Sequence, residues 1–301
     1  MGLAAADPAM IDQVRRFNRT VTQRVGALDD AFLSRGRPLG QARLLWEIGT
    51  AGADLRELRA RLDLDSGYLS RMLQALAAAG LITIQPSSAD ARVRTARLTA
   101  AGRDERKTLD RLADEAAGSV LAALSDSQRA RLVRAMADVE QLMRASMITI
   151  APCDPERPAA RYCLRGYFEE LGRRFDGGFD PAVTISATAD ELTPPAGLLL
   201  VATLHDEAIG CGALKFHAAA PAELKRMWVA PAARGLGLGR RLLASLEAHA
   251  LAAGATVVRL ETNHTLTEAI AMYQSAGYRE VPAFNDEPYA HHWFEKDLVG
   301  P

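Results

Sequence analysis

Between Glu223 and Arg240 the chain reads Glu-Leu-Lys-Arg-Met-Trp-Val, then Ala-Pro-Ala-Ala, then Arg234-Gly235-Leu236-Gly237-Leu238-Gly239-Arg240. Glycines at alternate positions let a backbone turn tightly and bring its N–H groups against a ligand. The helix that must follow, striped by Leu238, Leu242, Leu246 and Ala250, adds the partial positive charge of its N-terminus. Such a turn is built for a pyrophosphate. Two nucleotide motifs fail here. Arg240 stands where G-x-G-x-x-G needs its third glycine, and the Lys-Ser/Thr of a P-loop is missing. What remains is R-x-x-G-x-G behind a strand.

Positioning that loop requires an α/β frame, and the flanking sequence supplies one. Glu156 to Phe175 reads as a helix, Gly197 to Leu204 and Ala208 to Ala218 as an antiparallel pair, and Glu223 to Val229 as the strand feeding the loop. A strand over Thr256 to Thr262 and a helix over Leu266 to Ala276 follow, closing at Gly277-Tyr278. In the tail from Asn285 to Phe294, alternation puts Tyr289, His291 and Trp293 on one face and His292 and Phe294 on the other. The two histidines therefore cannot share a metal in a regular strand, and no metal is expected. Asn285, Tyr289 and His291 are candidate polar contacts for a substrate.

The spacing R-x-x-G-x-G, with the strand before it and Ala269-Ile270-Ala271-Met272-Tyr273 followed by Gly277-Tyr278 behind it, resembles the GNAT superfamily of N-acetyltransferases over residues 147–301. The resemblance implies a mixed, mostly antiparallel sheet, acetyl-CoA as cofactor, coenzyme A as product, and direct transfer of acetyl to a small-molecule primary amine in a ternary complex. It places Met227, Trp228 and Val229 along the thioester and pantetheine. Arg234, Gly235, Leu236, Gly237, Leu238, Gly239 and Arg240 fall on the pyrophosphate, and Asn263 on the cofactor. Glu223, four residues before Met227 and on the same face by alternation, is the expected base. Tyr273 is the expected acid for the departing sulfur.

The front half is helical. Apolar residues at Ile11, Val14, Phe17, Val21, Val25, Leu28 and Phe32 form the stripe of a long first helix. Helices over Leu55 to Leu62 and Ser66 to Ala79, joined by a three-residue turn, make a helix-turn-helix. Asp65 can cap the second of them. That helix carries Ser66, Tyr68, Ser70 and Arg71 in its first two turns, where base and phosphate contacts are made. Strands over Leu81 to Gln85 and Arg92 to Leu98 form a hairpin bearing Arg92 and Arg94. Two long helices follow, the second opened by the capping box Ser125-Asp126-Ser127-Gln128.

The run Asp65 to Arg71, the Ala79-Gly80-Leu81 turn, and Asp90-x-Arg92 followed by Leu98-Thr99-x-x-Gly102 resemble MarR-type winged-helix transcription regulators. This implies double-stranded DNA as partner, with Ser66, Tyr68, Ser70 and Arg71 in the groove and Arg92 and Arg94 on the wing. It also implies a homodimer through the terminal helices. The expected domains are 1–146, mainly α winged helix-turn-helix, and 147–301, the acetyltransferase. The alternative is a regulator whose rear domain senses acetyl-CoA or an amine without turnover.

Length and charge agree with two domains. The chain has 301 residues, enough for two cores. Residues 1–150 hold 22 Lys and Arg against 18 Asp and Glu, and the remainder 14 against 19, so the front half is the better polyanion partner. The three cysteines, Cys153, Cys163 and Cys211, include no C-x-x-C, which excludes a disulfide framework or zinc ribbon. Without a long apolar run or a signal-like N-terminus, no membrane contact and a cytoplasmic address are expected.

Overall fold

The computed structural model describes residues 7–28, 32–86, 93–185, 187–217 and 221–299. They fall into two compact units, Met1–Val133 and Arg134–Pro301.

The first unit begins with α1 (Pro8–Arg24), whose cap Asp7 accepts the Ala9 N–H at 2.9 Å. The helix expected to carry the stripe to Phe32 stops early, because the chain turns through Gly26 at φ +64°. Phe32 enters the core instead, its ring edge-on to Trp46 at 6.2 Å. Next come α2 (Leu39–Ile48), the short β1 (Ala53–Asp54), α3 (Leu55–Leu62) and α4 (Ser66–Ala78). Asp65 caps α4 as its sequence suggests, accepting the N–H groups of Gly67 at 2.9 Å and Tyr68 at 3.0 Å. β2 (Ile82–Pro86) and β3 (Arg94–Leu98) pair antiparallel with Ile82 opposite Leu98, and β1 adds an unforeseen third strand against β3. α5 (Ala100–Ala122) and α6 (Asp126–Ser146) follow. The capping box at α6 forms, with Ser125 N–H donating to Gln128 at 3.0 Å. Leu44, Leu45, Leu58, Leu76 and Leu109 are fully buried and centre this core.

The second unit takes in the C-terminal half of α6, so the division falls inside that helix. It continues with β4 (Thr149–Pro152), α7 (Pro158–Arg174), β5 (Gly197–Leu204), β6 (Glu207–Lys215), β7 (Ala222–Val229), α8 (Leu238–Ala252), β8 (Val257–Thr262), α9 (Thr267–Ser275), β9 (Arg279–Val281) and β10 (His292–Asp297). The seven strands form one sheet in the order β4-β5-β6-β7-β8-β10-β9. Every pairing is antiparallel except β7 with β8.

Strand alternation assigns the two faces. Cys211 and Trp228, which pair across β6 and β7, face α7. There Gly166 leaves the room that Trp228 fills, since a Cβ at Gly166 would lie 2.5 Å from the indole. On the other face Gly212 admits α8, where a Cβ would lie 2.7 Å from Leu246. Leu238, Leu242 and Leu246 of α8 are buried against the sheet, as the sequence stripe requires.

Candidate functional site

Two irregularities in β7 create the site. The first is a bulge: Cys211 pairs with Trp228 and Ala213 with Lys225, so Arg226 and Met227 together oppose Gly212. Arg226 sits at φ +56°, a left-handed conformation that costs a non-glycine residue about 1 kcal/mol. The second is a splay. β7 pairs with β8 only at Ala222 and Glu223, and from Leu224 onward its edge on that side is free.

Beyond the splay, the glycine loop turns through Gly235 at φ +81° and Gly237 at φ +70°, which is why those positions are glycine. Gly237 caps α8 without a side-chain bond. Among the described residues, the N–H groups of Gly235 through Arg240 have no protein acceptor. Six successive unused donors at a helix N-terminus can receive the oxygens of a phosphate.

These donors border a cleft of about 510 Å³. Met227, Trp228, Val229, Arg234, Gly235, Gly237, Leu238, Gly239, Arg240 and Tyr273, all singled out from the sequence, line it together. Leu236 does not; it packs against the core. Residues from α7 that sequence reasoning missed complete the wall: Tyr167, Glu170, Leu171 and Arg174, which share one helix face at i, i+3, i+4 and i+7. That spacing was the available signal. Glu170 accepts the Trp228 indole N–H at 3.0 Å and also the Arg234 guanidinium. Arg234 is thereby held at the mouth of the loop, its Nε donating to the Val229 carbonyl at 3.2 Å.

A second, smaller cavity of about 100 Å³ shares Tyr167, Met227 and Tyr273 with the first. Part of its remaining wall is aromatic, from Phe175, Phe179 and Tyr289, with ring centroids 4.9 to 5.7 Å apart. Its polar groups are Lys225, Arg226, Glu261, Asn263 and Glu287. Tyr289 and Glu287 tie this wall together. The Tyr289 hydroxyl accepts the Asp180 N–H at 2.8 Å, and the Glu287 carboxylate accepts from the Thr184 hydroxyl at 2.8 Å and the Ile185 N–H at 2.7 Å.

Tyr273 is buried at the junction of the two cavities. Among the described residues its hydroxyl makes no hydrogen bond. Burial pushes that hydroxyl well up, so it stays protonated at neutral pH.

Glu223 and Asn263 are elsewhere from where the sequence put them. The bulge inserts a residue between Glu223 and Met227, which turns the two to opposite faces, and Glu223 lines neither cavity. Its carboxylate is held by Arg259 at 2.6 Å and Lys225 at 3.2 Å. Burial alone would raise its pKa, but the Lys225 charge and the Arg259 hydrogen bond outweigh it and lower the pKa below the usual carboxylate value. Asn263 lines the second cavity rather than the cofactor cleft, and its amide is already engaged. Its Nδ2 donates to the Tyr289 carbonyl at 2.8 Å, and its oxygen accepts the Thr265 N–H at 3.0 Å. Two carboxylates do reach the second cavity: Glu287, already engaged by Thr184 and Ile185, and Glu261 on β8, joined to Lys225. An acid in the middle of an interior strand was its sequence signal.

In the first unit, α4 presents Ser66, Tyr68, Ser70 and Arg71 to solvent while Leu69, Met72, Leu73 and Leu76 are buried. The Arg71 guanidinium lies over the Tyr68 ring at 5.8 Å. Arg94 is exposed on β3, whereas Arg92 lies outside the described residues. Among the described residues no helix is long and apolar enough to cross a membrane, and no three His, Cys, Asp or Glu side chains form a metal-holding group.

Comparison with known proteins matches both units. The acetyltransferase (GNAT) family model covers residues 164–278 and the MarR family model residues 35–93. An IAA acetyltransferase of Azospirillum brasilense is 38% identical over 143 residues, spanning 47% of this chain and 90% of that protein. An uncharacterized N-acetyltransferase of Schizosaccharomyces pombe is 32% identical over 133 residues, spanning 41% of this chain and 78% of that one. Among solved structures, an acetyltransferase of the GNAT family from Staphylococcus aureus aligns at 16% identity with a TM-score of 0.44, covering 50% of this chain and 99% of its own.

Proposed function

The chain belongs to the GNAT acetyltransferases, with a MarR-family domain in front, and from that premise we propose that it acetylates a small-molecule primary amine by direct transfer while its front domain binds double-stranded DNA as a homodimer. The observation that carries the chemistry is the row of unused N–H donors from Gly235 to Arg240 beside the splayed edge of β7. The residues present fit acetyl-CoA: the loop donors and Arg240 suit the pyrophosphate, and the apolar strip of Met227, Val229 and Met272 suits the pantetheine arm.

Acetyl-CoA supplies an activated acetyl group. The protein's own residues do the rest. Glu261, in place of Glu223, accepts a proton from the bound ammonium, directly or through water, leaving a lone pair on nitrogen. The Met227 backbone N–H, on the free edge of β7, is assigned to the acetyl carbonyl as its charge grows. Tyr273 gives its proton to the departing sulfur as the carbon–sulfur bond breaks and the nitrogen–carbon bond forms, and the second proton shed by the nitrogen as it becomes an amide restores the Tyr273 hydroxyl, directly or through water. Lys225, charged and buried between Glu223 and Glu261, fixes the base.

For the DNA-binding half, the exposed polar row of α4 and Arg94 support the groove and wing assignments. The partner copy is argued from α1, which buries no residue and exposes Met10, Ile11, Val14, Phe17 and Val21.

The test is thiol release from acetyl-CoA over a panel of primary amines, with IAA, the compound in the relative's name, included. Amine-dependent thiol release with a matching acetylated product is expected. Tight acetyl-CoA binding without release for any amine would instead mark the domain as a sensor.

A further inference from the structure

The acceptor cavity carries one cation whose charge is not answered. Lys225 lies between two carboxylates, Glu223 and Glu261. Arg226, which lines the same cavity, has no carboxylate within ion-pair distance among the described residues. Its guanidinium instead lies against two rings inclined at 65° to each other, 4.6 Å from the Phe168 centroid and 5.5 Å from the Tyr167 centroid, and it neighbours the Tyr167 hydroxyl. A guanidinium has five N–H donors in one plane, and packing a face on an aromatic ring leaves edge donors for an acceptor in that plane, the arrangement that recognises a carboxylate with two hydrogen bonds. The backbone tells the same story. Arg226 is the bulge residue, held at φ +56° although it is not glycine. Such strain persists where surrounding structure fixes it, and clusters at functional positions.

Resting on the acetyl-transfer reading above, we propose that the acceptor is a free amino acid and that Arg226 is the receptor for its carboxylate. The three chemical parts of that substrate each find a match in one cavity. The carboxylate meets Arg226, the ammonium meets Glu261, and the side chain lies on the wall of Phe175, Phe179 and Tyr289. A polyamine or a simple alkylamine would leave the Arg226 charge unpaired and add a second cation beside it. The small size of the cavity, about 100 Å³, selects against aminoglycoside-sized acceptors. The reaction balances as before: the ammonium passes one proton to Glu261, the nitrogen gains the acetyl carbon as the carbon–sulfur bond breaks, Tyr273 protonates the thiolate, and the second proton from nitrogen restores Tyr273.

The experiment compares matched pairs. Thiol release is measured for the common amino acids and for the corresponding amino acid amides, which keep the amine and side chain but lack the carboxylate. For at least one side chain the acid is expected to exceed its amide in kcat/KM by about 30-fold or more, the range for a hydrogen bond to a charged group. Arg226→Gln is expected to collapse that ratio and Arg226→Lys to restore part of it. Calorimetric binding of acetyl-CoA, whose cleft Arg226 does not line, reports that each variant is folded. Amides turned over as well as acids, or an acid-to-amide ratio unchanged in folded Arg226→Gln, would overturn the assignment and leave the acetyltransferase reading standing. Acetyl-CoA binding with no turnover of any acid, amide or other amine would defeat both.

Discussion

At the scale of single residues, two glutamates share one lysine and divide the work, Glu223 two positions before Lys225 on β7 and Glu261 on β8. Glu261→Gln is expected to lower kcat/KM by 10²- to 10⁴-fold, the usual contribution of general-base catalysis. Glu223→Gln is expected to keep most of the activity and to lose stability instead, by about 3 kcal/mol, because it leaves Lys225 and Arg259 with a neutral partner. The direction with pH follows from the lowered pKa of Glu223. A depressed folded-state pKa contributes stability that is fully present above the unfolded value, about 4.3, and disappears as pH falls through the folded one. Denaturant melts of wild type and Glu223→Gln should therefore differ at pH 7 and converge in acid. Tyr273→Phe is expected to cut kcat by about 10²-fold or more with little change in the acetyl-CoA dissociation constant, measured by stopped-flow and calorimetry. Equal losses in both would make it a packing residue. Tyr273 was legible in sequence because its place is set by a local helix. Glu223 departs from its expected face because β7 carries an extra residue at Arg226, which reverses the strand alternation between Glu223 and Met227. Nothing in a single strand announces a bulge that its neighbour defines.

Among the elements, α7 and the loop before α8 matter most, since one carries the wall of the cleft and the other its donors. Gly166 in α7 is the close-approach point for Trp228, and through Trp228 and Glu170 it governs Arg234. Gly166→Ala is expected to cost about 1 to 3 kcal/mol of stability, typical of overpacking. It should also raise KM for acetyl-CoA more than it lowers kcat. Unchanged melting with unchanged KM would show that the indole has room the packing denies. The loop, α8 and α4 with its Asp65 cap were all readable from the chain, because positive-φ turns demand glycine and helix faces repeat at 3.6 residues. The acceptor wall was not. It joins residues 175–185 to 287–290, and such long-range contacts leave no period in the sequence. The same holds for the pairing of β1 with β3.

For the whole molecule, the open questions are assembly and reach. α1 is an amphipathic helix with an exposed apolar stripe, and a second copy of the chain is its proposed cover. Replacing Phe17 and Val21 by Glu is expected to convert a dimer to a monomer in sedimentation analysis and to weaken DNA binding with it; a wild-type monomer would contradict the assignment. DNA affinity, resting on Arg71, Arg94 and other phosphate contacts, is expected to fall steeply with salt. The acetyl-transfer chemistry is built on the bend between Arg234 and Arg240 gripping a pyrophosphate. The most direct measurement is calorimetry of the full chain with acetyl-CoA and with S-acetylpantetheine, which keeps the thioester and lacks the pyrophosphate together with the 3′-phosphoadenosine, so that Gly237→Ala assigns the difference to the loop. Saturable acetyl-CoA binding, at least a hundredfold tighter than the truncated compound and weakened in Gly237→Ala, is the expected result. No binding, or equal affinity for the two compounds, would contradict the account at its base.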